Sequence, residues 1–162
     1  MTGEPRFKSI LVPMPGGQMS EAENQTAPGA YGQPVEFIVP ARLESLVIIR
    51  TLVSALGTLE DLDLDAVADL RLALDEACTA LIRSSAPNSR LTVTVRPREE
   101  DLWISVSVPC VEDDVLRPGT FSWHVISSLT DDLETFRDGA EVGDPACVYG
   151  ITMTARRLDT SR

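Results

Sequence analysis

Apolar residues recur with two different periods from Val35 onward, and these periods predict strands and helices. Alternation between Val35 and Pro40 predicts a short strand. Residues 41–57 predict a first helix that ends at Gly57, since a glycine suits the C-terminal cap. The apolar stripe of this helix consists of Leu46, Ile49, Val53 and Leu56.

The clearest helical pattern runs from Ala66 to Ser84. Its apolar stripe consists of Val67, Leu70, Leu74, Cys78 and Leu81. Asp63 or Asp65 is suited to cap this helix, because a carboxylate accepts hydrogen bonds from the first amides and favours the positive end of the helix. A third, short helix is predicted to begin near Thr120 or Ser122.

Period-two alternation predicts the remaining strands. Residues 91–95 and 102–108 flank a polar turn and predict an antiparallel hairpin, and two more strands follow at about Asp132 to Arg137 and Cys147 to Arg156. The order β-α-α-β-β-α-β-β predicts an α+β two-layer sandwich. We expect a mixed, mostly antiparallel sheet with helices on one face, and a ferredoxin-like arrangement is the alternative.

The 162 residues correspond to about one domain. Residues 1–34 hold five prolines and five glycines with little periodicity, which predicts a disordered N-terminal arm. The folded domain is expected over residues 35–157, with a short tail at 158–162. No internal repeat is evident.

The net charge and the cysteine content limit the kinds of molecule that the protein is expected to bind and the cellular compartment in which it is expected to act. With 25 acidic against 14 basic residues the net charge is −11, which disfavours direct binding to nucleic acid or anionic membranes. Three widely spaced cysteines without a Cys-x-x-Cys pair favour neither a disulfide framework nor a zinc site. No signal peptide or transmembrane segment is recognised, so we expect a cytoplasmic protein.

Glu76 is the residue best placed for chemistry. It lies off the apolar stripe of the second helix, where it could act as a general base, or it could simply be a solvated side chain. Gly119, just before the third helix, either leaves room for a phosphate at the helix amides or only turns the chain.

Other single residues favour plain structural roles. His124 is the only histidine and is expected to be structural or exposed. Cys78 and Cys110 are expected to be small buried apolar residues. Phe121 and Trp123 are expected to pack in the core, and Trp103 to face either the helices or a partner.

Four segments taken together resemble a known family. They are "ARLESLVIIRTLV", "DLDLDAVADLRLALDEACTALIRS", "PGTFSWHVISSLTDDLETF" and "YGITMTARR". From Val35 to Arg157 the chain is similar to anti-sigma factors of the RsbW and SpoIIAB type. This resemblance implies the GHKL ATPase, or histidine-kinase-like, fold, in agreement with the predicted order of elements.

The resemblance also implies partners and a cofactor. Members of this family bind a sigma factor, and many form homodimers, bind ATP with magnesium and phosphorylate a serine of a STAS-domain antagonist. The segment "DEACTA" matches the family's N-box, which makes Glu76 the general base and puts Ala80 where the family has a magnesium-binding Asn. The family's D-x-G-x-G motif is absent after the hairpin, where the chain has Pro109, Cys110 and Val111.

Further site residues follow from the same resemblance. Gly119, Thr120 and Gly150 correspond to nucleotide-binding positions, and Arg42 and Arg50, placed on the first helix, to partner contacts. We therefore predict an anti-sigma factor that sequesters a stress-response sigma factor of the sigma-F type and is released by STAS-domain antagonists. The alternative is an active serine-protein kinase or nucleotide hydrolase.

Overall fold

The computed structural model describes residues 32–110, 115–139 and 147–157. Its strands are β1 (Val35–Pro40), β2 (Arg90–Pro97), β3 (Asp101–Pro109), β4 (Asp132–Asp138) and β5 (Val148–Arg156), and its helices are α1 (Leu46–Leu59), α2 (Leu64–Arg83) and α3 (Phe121–Leu129). The predicted element order is confirmed, with a short 3-10 turn added before α1 at Leu43–Ser45. Of the predicted arm only residues 32–34 are described, and the tail at 158–162 lies outside the described residues.

The five strands form one sheet in the order β1-β2-β3-β5-β4, and every neighbouring pair is antiparallel. The α+β prediction is confirmed, but the described strands include no parallel pair, so the expected mixed sheet is an antiparallel one. The reason is the pair of helices after β1. They return the chain to the edge of the sheet at which β1 ends. There β2 begins, with Arg90 opposite Pro40, and it runs antiparallel to β1.

The core lies between the helices and one face of the sheet. The predicted stripe of α2 is buried, as are the alternating apolar positions of β2 and β3. These buried positions are Val67, Leu70, Leu74, Cys78, Leu81, Leu91, Val93, Val95, Leu102, Ile104, Val106 and Val108. Asp63 caps α2, because its Oδ1 accepts a hydrogen bond from the amide of Ala66 at 2.7 Å. Of the two predicted caps, Asp63 is therefore the one used.

The end of α1 differs from the prediction. Gly57 is not the cap but a buried residue inside the helix, which continues to Leu59. A Cβ added to Gly57 would lie 3.2 Å from Cγ2 of Val67, so the glycine lets α1 approach α2 closely. The left-handed residue that follows the helix is Asp61, with φ of 59°.

The large aromatic residues separate into buried and exposed positions. Thr120 caps α3 by accepting a hydrogen bond from the amide of Trp123, which packs against the core. Phe121 is 80% exposed, so the expectation that it is a core residue was wrong. Trp103 alternates with the core positions of β3 and thus lies on the sheet face away from the helices, under the guanidinium groups of Arg96 and Arg98.

Candidate functional site

Glu76 lies where α2 meets the first turn of α3. Its Oε1 accepts a hydrogen bond of 2.5 Å from Oγ of Ser122, and both side chains are partly buried. Glu76 is therefore not the fully solvated side chain of the alternative interpretation. The contact joins a carboxylate to a hydroxyl at the N-terminal end of a helix, where the helix dipole favours negative charge.

The other residues expected around Glu76 lie on the same two helices. Ala80 follows it by one turn of α2, and Gly119 and Thr120 directly precede α3. Gly119 has φ of 88°, a conformation that favours glycine, and within the described part of the chain no atom beyond Gly119 and its two sequence neighbours lies within 4 Å of the position its Cβ would take. The open space at Gly119 adjoins the first amides of α3, which carry no helical hydrogen bonds.

Gly150 is not brought to this group. It alternates with the core-facing residues of β5, so it lies on the sheet face away from α2 and α3. The ring of Phe136 on the neighbouring strand covers it, and an added Cβ would overlap that ring. Packing of Phe136 is a sufficient reason for a glycine at this position.

Arg50 pairs with a residue that the sequence did not single out. Its Nε lies 2.5 Å and 2.7 Å from the two carboxylate oxygens of Asp75 on α2. The hydrogen bond and the negative charge of Asp75 raise the pKa of the Arg50 guanidinium, against a smaller opposing effect of burial. The pair is partly exposed, so both side chains remain within reach of a partner.

Arg42 is not on helix α1, contrary to the prediction. It has an extended backbone between β1 and the 3-10 turn, and α1 begins only at Leu46. The delay has a local cause, because Ser45 uses its hydroxyl to bind the carbonyl of Pro40 and holds the chain in a tight turn. Arg42 is exposed at this turn.

The residues present do not fit a magnesium site of the family's kind. Magnesium requires several oxygen ligands. Ala80 offers none, and Ser122 already occupies one oxygen of Glu76. Within the described ranges, no group of three or more His, Cys, Asp or Glu side chains could hold a metal ion.

The cysteines and the histidine agree with their expected roles. Cys78, Cys110 and Cys147 are all buried thiols. Burial, together with the negative charge of Asp75, raises the pKa of the Cys78 thiol to about 12, so Cys78 stays protonated and unreactive at neutral pH. His124 is exposed on α3.

Comparison with known proteins found similar sequences and a similar fold. Two curated proteins called anti-sigma-F factor RsbW, from the CDC 1551 and H37Rv strains of Mycobacterium tuberculosis, are 50% identical to the chain over 150 residues, which are 92% of this chain and 89% of theirs. No family model matches the sequence. The crystal structure of the RsbU and RsbW domains of a Mycobacterium tuberculosis protein matches with a TM-score of 0.55 at 13% identity, over 77% of this chain and 32% of that one.

The class of protein follows from the extent of this identity. Half of the aligned residues are the same over nearly the full length of both chains, and the fold is shared with a solved structure that contains an RsbW domain. The molecule is an anti-sigma factor. More particularly, the chain belongs to the RsbW family.

Two residues of the candidate site were missed by sequence reasoning. Asp75 directly precedes Glu76 and was passed over for it, and Ser122 was considered only as a possible start of α3. Their contacts join positions 25 and 46 residues apart in the chain. No pattern within one segment could have revealed them.

Proposed function

We propose that this chain binds a stress-response sigma factor of the sigma-F type and keeps it from RNA polymerase, and that STAS-domain antagonists compete for the chain and release the sigma factor. The observation that carries the proposal is the 50% identity to anti-sigma-F factors over 92% of the chain. A protein with this proposed function acts in the cytoplasm, where RNA polymerase works. No helix in the described part of the chain combines the length and apolarity of a membrane span.

The charge of the chain supports a sigma factor as partner. The net charge is −11, and sigma factors carry basic faces that bind DNA. Opposite charges speed the encounter of two proteins and mask the DNA-binding face. An acidic chain is thus suited to compete with nucleic acid for a basic partner.

Binding to a purified sigma factor of the sigma-F type tests the function. We expect a saturable complex whose association rate falls by about tenfold when salt rises from low to physiological concentration, since charge attraction is screened. Stopped-flow fluorescence measures the rate, and the housekeeping sigma factor of the same cell is the control. Absence of a complex at micromolar concentrations, or equal binding of both sigma factors, would contradict the proposal.

ATP binding remains a prediction, and it is tested by titrating the chain with the sigma factor in the presence and in the absence of ATP and magnesium. The open space at Gly119 leaves room for a phosphate at the first amides of α3, but the side chains do not fit the family's magnesium site. A partner-binding function without a nucleotide predicts the same sigma-factor affinity with and without ATP and magnesium. A kinase would instead transfer phosphate to a STAS-domain antagonist, and Glu76→Gln would abolish that transfer.

An exposed apolar surface on α1 supports a homodimer. The surface consists of Leu43, in the 3-10 turn before α1, and of Val47, Ile48 and Leu52 of α1, which are 39–62% exposed. We call these residues the α1 apolar surface. A second copy of the chain packed on this surface would remove it from water.

The variant Val47→Glu tests the homodimer. Val47 is 62% exposed, so a glutamate there leaves the core intact but brings two carboxylates into an interface with two-fold symmetry. We expect the dimer dissociation constant to rise by about 30-fold or more, as for a central interface residue. Analytical ultracentrifugation measures it, with Leu72→Glu on α2, at 57% exposure, as the matched control. An unchanged dimer in Val47→Glu would exclude this surface.

A further inference from the structure

The ends of β3 and β5 bring two cysteines opposite each other. The two strands pair up to Pro109 and Val148, and the amide of Cys110 then donates a hydrogen bond of 2.9 Å to the carbonyl of Cys147. The pairing thus continues by one step. Residues opposite each other in such a hydrogen-bonded pair have Cα atoms about 5.5 Å apart, within the roughly 4.4–6.8 Å that a disulfide spans.

The side chains of the two cysteines lie on the same face of the sheet. Opposed residues of antiparallel strands project to one side. Cys110 follows Val108 by two residues and belongs to the hydrophobic core, and Cys147 precedes the core residue Tyr149 by two residues. Cys110 is 2% exposed and Cys147 is 3% exposed. Each therefore has the other as its cross-strand neighbour within the protein.

Cys147 has a cation beside its sulfur. Nη2 of Arg137 on β4 donates to Sγ of Cys147 at 3.2 Å. A positive charge beside a sulfur favours its thiolate, which is the attacking form in thiol–disulfide exchange. Cys78 is the contrasting case, because it lies on the buried face of α2, where the negative charge of Asp75 acts on its thiol.

We propose that Cys110 and Cys147 form a reversible disulfide with a small-molecule disulfide as the oxidant. Because Cys147 is only 3% exposed, the strand end first opens locally to admit the oxidant. The sulfur of Cys147 then attacks one sulfur of the oxidant, which forms a mixed disulfide and releases the first small thiol. The sulfur of Cys110 then attacks Sγ of Cys147 and releases the second. Two cysteine thiols are oxidised, one external disulfide is reduced to two thiols, and these carry the two protons.

The bond would close a covalent ring that contains α3 and β4. Ser122, which holds Glu76, lies inside this ring. Oxidation therefore ties together the two ends of the segment that carries Ser122, and a thiol reductant reverses it. Because the ring limits the unfolded chain, the oxidised protein is more stable than the reduced one.

Peptide mapping of the full chain tests the bond. The chain is incubated with oxidised glutathione, the remaining thiols are alkylated, and the protein is digested with trypsin. Cleavage after Arg137 separates Cys110 from Cys147, and the peptide with Cys110 stays whole because Arg117 precedes a proline and resists cleavage. We expect residues 99–137 to be linked to residues 138–156, while residues 72–83 carry alkylated Cys78. Alkylation or glutathione adducts on both cysteines, without the linked peptides, would overturn the proposal.

The melting temperature shows whether the bond fits the native backbone. We expect oxidised wild-type chain to melt on the order of 5–10 °C above the reduced chain, as for a ring of this length. Cys78→Ala is expected to keep this difference, and Cys110→Ala is expected to lose it. Equal or lower melting of the oxidised wild-type chain would show that the bond forms only in unfolded protein, which would refute the inference.

Discussion

Replacing Leu74 with alanine is expected to lower the free energy of unfolding by about 3 kcal/mol, because it removes buried methyl groups and leaves a cavity. Leu74 is fully buried at the middle of α2, between the helices and the sheet. The corresponding fall in melting temperature is roughly 6–12 °C for a domain of this size. Urea titration followed by circular dichroism measures the free energy, and the slope of the transition is expected to stay constant.

Leu72→Ala is the matched control for this change. Leu72 is on the same helix, two residues away, but is 57% exposed. The same substitution there is expected to change stability by no more than about 0.5 kcal/mol. Equal effects at the two positions would contradict the assignment of the core face of α2.

Reversing the charge at Arg50 is expected to weaken the complexes with the sigma factor and the STAS-domain antagonist by about tenfold or more. The guanidinium of Arg50 is partly exposed and is oriented by Asp75, so it presents a fixed positive charge to a partner. Arg50→Glu removes that charge and places two carboxylates together between α1 and α2. Calorimetric titration with each partner measures the two affinities.

Two further variants separate direct contact from a structural role. Arg71→Glu reverses an exposed arginine on the neighbouring helix and is expected to leave both affinities near those of the wild type. The double variant Arg50→Asp with Asp75→Arg keeps an ion pair between α1 and α2 in the opposite orientation. Binding that stays weak in the double variant supports direct contact, and full recovery would show that Arg50 acts only by holding the two helices together.

Local patterns of apolar residues were sufficient to predict the order of the helices and strands in this protein. The stripe of α2 and the alternation of β2 and β3 are properties of a few consecutive turns or residues, and the buried faces match them. The family could likewise be recognised from short segments, and the 50% identity confirms it. The prediction was wrong where a residue distant in sequence determines the structure. Gly57 was predicted to end the first helix, but it lies inside α1, because the close approach of α2 requires a glycine there.

The candidate site depended on contacts between distant segments. Ser122 reaches Glu76 across 46 residues, and Arg50 reaches Asp75 across 25. Each pair requires two helices to pack at one particular rotation and depth, and many such arrangements bury the same apolar stripes. The order of the strands in the sheet also depends on distant segments. It places β5 beside β3 and so brings Cys110 opposite Cys147. Periodicity determines which face of an element is buried, whereas the packing of the whole chain determines which side chains meet.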